Sequence, residues 1–502
     1  MIFFFLLAFT TSIGKAQKYD YIWLMGYESD LSMEGIEGIE FDFNTTTVSI
    51  SPVSIGASLD ISSAIISDSA GNLLFYTDGC RIIGANHQIL ENGEGINPGE
   101  VHDIQCGEDG FGYTAWVQSS IILPTPGNGM VYYILHKHII YQYQPEFEVI
   151  TDGLYYTKVD VSLNNGEGSV VEKNIPLISE PLTAGQLTAV KHANGRDWWI
   201  ITGGRNNNMY YRLLLGPNGI EVLPAQMLGE SSGDGGQACF SPDGEKYARF
   251  FTPDGLFLFD FDRQTGYLSN FQQFEIPNES QQSGVAFSPN SRFLYACTRD
   301  TIYQYDLDNE NIESSRQVVA IYDGYQSLFN TTFFNAQLAP DCKIYINTFA
   351  FVDVLHVINF PDEPNEGCGV LQHAIQLPYW HSRALPSFPN YRLGPLVEGE
   401  DPPPPCQPVV SVQETVRGNT PKAYLFPNPA PGYFKVAFDA APLWPGQVLL
   451  YNTLGRLAYE GLLAPGQREQ RFEVQGLPPG MYFYAVAVGG QLWRSGKVVV
   501  GR

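Results

Sequence analysis

His136 and His138 stand two residues apart in an apolar run at 132–143. If that run is a strand, both imidazoles leave the same face, where two nitrogens could hold a transition metal. No third ligand is visible beside them, so a structural role is the favoured reading. His102-Asp103, close to Cys106, sits in a long Gly-rich stretch at 84–110, and loops of that length inside a domain are often functional. A polar loop is the plainer reading there. Asp306, Asp308 and Glu310 alternate at the end of another apolar run, and their carboxylates could offer hard oxygens to Ca²⁺. The spacing does not fit a twelve-residue EF-hand loop, and a solvated turn explains it as well. No cofactor is expected beyond this candidate for Ca²⁺. Gly203-Gly204 and Gly233-Asp234-Gly235-Gly236 lack the Lys-Ser/Thr of a phosphate loop and read as turns between blades. No serine is read as occupying the Gly-x-Ser-x-Gly turn of a hydrolase elbow. Trp198-Trp199 puts one ring on each face of a strand, one for the core and one to line a binding surface.

The elements that must position these residues are short strands. One phrase recurs: Phe240-Ser241-Pro242-Asp243-Gly244, then Phe287-Ser288-Pro289-Asn290-Ser291, then Leu338-Ala339-Pro340-Asp341-Cys342, in steps of 47 and about 51 residues. Pro presets φ and Gly accepts a positive φ, so each copy is a tight turn between apolar runs. Turns of this kind at Gly71, Asn128, Asn194, Asp243, Asn290 and Asp341 number six. Repetition at roughly 40–50 residues predicts an all-β chain built as a β-propeller. Seven blades are expected, with six or eight as the alternatives, and the N-terminal strands are expected to complete a last blade alongside strands near 352–360.

The chain has 502 residues, 44% hydrophobic and 16% charged, which fits globular domains. Its net charge of −25 is uneven. Residues from Gln407 on hold nine Lys+Arg and five Asp+Glu, leaving 19 of 28 and 48 of 53 for the rest, a net of −29. That sign change marks a domain boundary, and an acidic body argues against nucleic-acid binding. Residues 1–16 read as a secretory leader: 2–9 is apolar and Gly14-Lys15-Ala16 precedes Gln17, although the leader lacks the usual early Lys or Arg. No run is long enough for a transmembrane segment. Of seven Cys, the pairs Cys80–Cys106 and Cys342–Cys368 are expected because each closes a short loop, and Cys406 is left as the unpaired one. The boundaries expected are a leader at 1–16, a propeller at 17–396, a Pro-rich linker at 397–422 that includes four consecutive Pro at 402–405, and a small β-sandwich at 423–502.

Three motifs order this last stretch. Leu425-Phe426-Pro427-Asn428-Pro429 opens it, Asn452-Thr453-Leu454-Gly455-Arg456 stands in the middle, and Gly480-Met481-Tyr482 precedes a final run that includes Gly496-Lys497. In this order they resemble the type A C-terminal sorting domain of type IX (Por) secretion cargo, with an immunoglobulin-like β-sandwich fold. The resemblance implies that Pro427, Asn428, Pro429, Asn452, Leu454, Gly455, Gly480, Tyr482, Gly496 and Lys497 carry the sorting motifs. It further implies that the type IX machinery is a partner and that the product is secreted or held at the cell surface. The Phe-Ser-Pro-Asp-Gly phrase resembles repeats of WD40-like, YVTN-like and lactonase-like propellers, a fold shared by binders and enzymes, so it transfers no catalytic residue. The function expected is non-catalytic binding or adhesion, to a surface protein or a polysaccharide, with a lactonase- or glycosidase-like hydrolase acting at the central channel as the alternative. Deleting 423–502 is expected to leave the body in the periplasm, read by cell fractionation; unchanged display of the truncated protein at the surface contradicts the sorting assignment.

Overall fold

At each of the six turns, a short buried strand reverses into a second one and starts a sheet. The copy at Ser241–Gly244 shows why the residues suit the bend. The Ser241 hydroxyl donates to the Asp243 carboxylate at 2.5 Å and accepts the Lys246 amide at 2.9 Å. Gly244 takes φ 78°, and a Cβ there would lie within 2.8–3.0 Å of Arg263, Leu393 and Val190. A side chain at this position would therefore be both strained and crowded.

In the computed structural model of the protein, residues 17–28, 35–45, 47–107, 112–113, 115–277, 280–383, 385–397, 399, 402–406, 423–438, 441–442, 446–452, 457–488 and 491–501 are described. The expected leader lies outside them. The chain divides into two compact units, Met1–Pro408 and Val409–Arg502.

Among the described residues the first unit holds seven antiparallel sheets, each a meander running outward in chain order. Their first strands are Ile22–Gly26, Ala64–Ser67, Ser120–Pro124, Thr188–Lys191, Gln237–Phe240, Gly284–Phe287 and Ala336–Leu338. These first strands sit beside one another around a central channel, so the sheets are the blades of a seven-bladed β-propeller. The sheets pack face to face through aromatic and β-branched side chains, such as Trp23, Phe41 and Tyr345 between the last blade and the first. We call the face that carries the first-to-second strand turns in the six blades that follow the first the lower face. The opposite, upper face carries the connectors from blade to blade and, in the first blade, the connection from Ile22–Gly26 to Gly38–Asp42.

The closure of the ring differs from expectation. The N-terminal strands do not complete the last blade. Ile22–Gly26, Gly38–Asp42 and Ser49–Val53 form a sheet of their own, and Val352–Ile358 belongs to a separate four-stranded sheet. Closure comes instead from the segment that follows the last blade. Residues 385–396 thread the ring from the upper end of the channel, where the Ser387 hydroxyl accepts from Gln118 at 2.9 Å, to the lower face, where Asn390 donates to the Pro242 carbonyl at 2.8 Å. On the way they drive Phe388, Tyr391 and Leu393 among the blades. The Tyr391 hydroxyl donates to the Ile122 carbonyl at 2.8 Å, and the Leu396 amide donates to the Ala193 carbonyl at 2.8 Å. Arg392 grips Asp20 with both terminal nitrogens, at 2.6 and 2.7 Å. The segment ends in a disulfide between Cys342 and Cys406. This corrects the expected Cys342–Cys368 pair: the returning tail brings Cys406 to blade seven, while Cys368 stays buried as a free thiol. Cys80–Cys106 is paired as expected.

The second unit is a sandwich of a three-stranded and a four-stranded antiparallel sheet. Inward-facing residues alternate along its strands, as in Phe434, Val436 and Phe438 of Tyr433–Phe438. Among the described residues no helix is long and apolar enough to cross a membrane.

Removing one partner of a buried ion pair leaves the other uncompensated and costs roughly 3–5 kcal/mol. Arg392→Ala is therefore expected to lower the stability of the propeller by about that amount, read as a lower urea midpoint at unchanged slope. An unchanged midpoint would show that the tail does not close the ring.

Candidate functional site

The channel is closed from both ends. Phe388 and Tyr391 of the threading segment fill it from within. Towards the upper end, the side chains of Gln118 and Gln237 strap the first strands together. Gln118 exchanges two hydrogen bonds with Ala238, each of 2.8 Å, and donates to the Ser387 hydroxyl at 2.9 Å. Gln237 donates to the Ala336 carbonyl at 2.7 Å and accepts the amides of Val285 and Ala336 at 2.9 and 3.0 Å. Between them remains a cavity of about 70 Å³. A macromolecular ligand has to be met on a face of the ring.

His136 and His138 do share a strand face, flanking the ring of Tyr155. All four of their nitrogens are engaged. His136 Nδ1 donates to Asn97 Oδ1 at 2.7 Å and Nε2 accepts from the Thr157 hydroxyl at 3.0 Å. Burial, then the neighbouring His138, push its pKa down to about 3, which fixes it as the neutral ring. For His138 burial opposes the charge, but the Asp152 carboxylate at 2.6 Å and the Pro98 carbonyl at 2.9 Å outweigh it and hold the pKa above its ordinary value. Both histidines anchor the long loop at 84–110, which the Cys80–Cys106 bond pins from its other end.

His102 lies within 4.8 Å of the sulfurs of Cys80 and Cys106, the one cluster of three such groups among the described residues. Those sulfurs are bonded to each other and offer no thiolate. Asp306 and Asp308 both face Arg292, at 2.8 and 3.4 Å, so two of the three carboxylates proposed for Ca²⁺ serve an ion pair at a turn. Trp198 and Trp199 are both core residues, against the expectation that one lines a surface. Trp198 meets Tyr391 of the tail, and Trp199 donates to the Arg263 carbonyl at 2.8 Å. Blades pack on both faces of a sheet, so neither face of this strand is free. Gly203-Gly204 turns within a blade, and 233–236 connects two blades as expected. One stretch does match Gly-x-Ser-x-Gly, namely Gly229-Glu230-Ser231-Ser232-Gly233. It lies at the end of the strand Gly219–Ser232 and is followed by another strand, so it is no elbow between strand and helix.

The upper face carries groups that sequence reading missed. Lys137 is fully buried, and burial pushes its pKa down to about 7. Its ammonium donates to the carbonyls of Thr183 and Gly185, both at 2.5 Å, and so ties a blade connector down. Nothing in its spacing distinguishes it from a surface lysine. Beside it, Val131–Gln142 and Glu148–Asp160 form a long hairpin. Ser120, at the upper end of its blade's first strand, pairs with His136, so residues 137–148 project beyond the ring. The tip bears Tyr141, Tyr143 and Phe147, with ring centroids 5.5–6.4 Å apart. Tyr143 is 54% exposed and Phe147 61%. The short helix Glu100–Gln105 backs them: Gln105 donates to the Tyr141 hydroxyl at 3.0 Å, and the Tyr143 hydroxyl donates to Glu100 at 2.6 Å.

In the C-terminal unit, the first and last motifs meet. Asn428 donates to the Lys497 carbonyl at 2.8 Å and accepts the Val499 amide at 2.9 Å, which moors the Pro427–Pro429 stretch to the last strand. Gly496 pairs with Tyr484 across the hairpin, where a Cβ would lie 3.0 Å from the ring. Gly480 opens the strand that pairs with that last strand, and the Tyr482 hydroxyl donates to the Pro478 carbonyl at 2.8 Å. Asn452 follows the strand Gly446–Tyr451. Leu454 and Gly455 lie outside the described residues.

Residues 424–501 match the family described as the secretion system C-terminal sorting domain. No curated protein matches the chain. Among solved structures it is similar to a putative 6-phosphogluconolactonase from Bacteroides uniformis, at 14% identity and TM-score 0.40, covering 96% of this chain and 100% of that one. A second, from Bacteroides fragilis, stands at 13% and 0.37, covering 72% and 97%. Overlaps of this extent say nothing about this chain's chemistry.

The raised pKa of His138 yields a pH dependence. Its contribution is complete below the unfolded value of 6.5 and is lost as pH rises through the higher folded value. Hydrogen exchange around Pro98 is thus expected to quicken across that window, and His138→Gln is expected to abolish the pH response. A wild-type loop whose protection is flat from pH 6 to 9 would contradict the anchoring role.

Proposed function

We propose that this chain, which ends in a type IX secretion sorting domain and is a secreted or outer-surface protein, is a non-catalytic recognition module. It engages a surface protein or polysaccharide through the upper face of its propeller. The observation that carries this reading is the aromatic cluster of half-buried Tyr141 with exposed Tyr143 and Phe147, on a hairpin that overshoots the ring. Large aromatics dominate binding surfaces because they bury much area at little entropic cost. The lower face supports the same choice, since the chain's own tail covers its mouth.

In this reading residues 1–16 are the export leader, 17–396 the working body, 397–422 a spacer and 423–502 the address. The sorting surface is built where Pro427, Asn428, Pro429, Gly496 and Lys497 converge, with Tyr482 and Gly480 in the neighbouring strand, and the type IX machinery reads it.

The test is an array of extracellular proteins and polysaccharides probed with the purified protein and with Tyr143→Ala/Phe147→Ala. Binding to a member of the array, weakened about tenfold or more by the double variant, is expected. Turnover of a lactone or glycoside by the wild type would favour the hydrolase reading instead. Binding that ignores both the upper face and its aromatics would overturn the proposal.

A further inference from the structure

A second feature of the upper face lies away from the hairpin. Between blades six and seven there is an open groove of about 480 Å³. Its walls come from two blade connectors, at 280–282 and 326–332, and from the turns holding Arg299 and Phe349. Phe329 stands on one side and is 54% exposed. Phe349 is braced from behind, edge-on to Phe334 at 5.1 Å, with the Arg383 guanidinium 5.7 Å from its ring. The connector that carries Phe329 is also held in place. Asp323 pairs with His373 at 2.9 Å, Tyr325 stacks on that imidazole at 4.0 Å, and Ser327 donates to Asp353. Its shape is thus set before any ligand arrives, which lowers the ordering cost of binding.

The polar lining is made of amides and hydroxyls. Gln326 donates to Asn330 at 2.7 Å, and Gln282 accepts the Thr332 hydroxyl at 3.2 Å. A primary amide offers two donors and two acceptor sites, more than these bonds use. Among the described residues the single charge in the lining is Arg299, 3.8 Å from the Asp300 carboxylate. Among the described residues no carboxylate lines the groove to hold a cationic peptide. The net charge of −29 over residues 1–406, 19 Lys+Arg against 48 Asp+Glu, disfavours a polyanion at long range. What remains is a neutral chain whose apolar C–H faces can lie on phenyl rings and whose hydroxyls both donate and accept.

We infer that the groove between blades six and seven is a binding subsite for a neutral polysaccharide, with Phe329 and Phe349 as the platform and Gln326, Asn330 and Gln282 reading the hydroxyls. This deepens the recognition reading and rests on it. The test is calorimetric titration of the purified protein with soluble β-glucan, mannan, xylan and, as a polyanion, alginate. Phe329→Ala and Gln326→Ala serve as variants; both side chains are at the surface, and circular dichroism checks their folding. One of the neutral glycans is expected to bind with a Kd on the order of 0.1–1 mM, and Phe329→Ala to weaken it about tenfold. Hydrogen exchange should slow over 326–332 in the complex. Absence of binding by all three neutral glycans, preference for alginate, or binding indifferent to both variants overturns the inference. A protein ligand lost in Tyr143→Ala/Phe147→Ala, with no glycan bound, would sink this subsite and leave the recognition reading intact. Release of reducing ends during titration would do the reverse.

Discussion

The bidentate pair between Arg392 and Asp20 is the constraint on which the propeller depends. Seven sheets packed face to face have no covalent reason to close, and propellers in which one blade draws strands from both chain ends solve this with backbone pairing. Here, among the described residues, the N-terminal strands form a sheet of their own. The tail's arginine reaches the first residues of the body instead, and two more of its five donors go to the carbonyls of Gln17 and Pro405 at 3.2 and 2.5 Å. Burial works against the charge of Arg392, but the Asp20 carboxylate outweighs it and raises the pKa. A buried pair with its hydrogen bonds satisfied contributes specificity more reliably than net stability. Closure in this chain is a matter of correct geometry, which Phe388 and Tyr391 then reinforce by packing and Cys342–Cys406 by a covalent link.

That closure divides the molecule into two unlike faces. The lower one is sealed by the chain itself, and the straps of Gln118 and Gln237 leave only a small cavity inside. The upper one carries the connectors, and connectors are where a rigid scaffold can vary without cost to its core. The hairpin tip and the groove beside Phe329 both lie there.

Much of the fold is legible in the sequence because it is local. Six of the seven blades announce themselves by the turn between their first two strands, which needs only Pro, Asn, Asp or Gly at fixed offsets. Blade one joins Ile22–Gly26 to Gly38–Asp42 by a longer connection without such a turn, so spacing alone assigns its strands to the wrong sheet. The same limit explains the cysteines. Cys80–Cys106 spans 26 residues and follows the short-loop argument, whereas Cys342–Cys406 spans 64 and depends on where the tail runs. The motifs of the C-terminal unit can be read in order along the chain, and the structure adds that Asn428 joins the first to the last. The candidate site is far less legible. The shared face of His136 and His138 follows from strand period, but their partners Asn97 and Pro98 come from a distant loop. The groove draws on four separate connectors and turns, none with a motif of its own. A hairpin longer than its neighbours shows in the sequence only as an aromatic-rich run.

The central claim is that residues 385–396 are an integral part of the propeller. Native-state hydrogen exchange of the purified protein tests it most directly. The amide of Leu396, bonded to Ala193, and that of Phe388, bonded to Gln337 at 3.2 Å, should exchange as slowly as those of the inner strand Thr188–Lys191. Opening should require unfolding of the ring. Fast exchange at 388–396 while the inner strands stay protected would mean that the tail rests on a ring already closed, and would contradict its role in sealing the lower face.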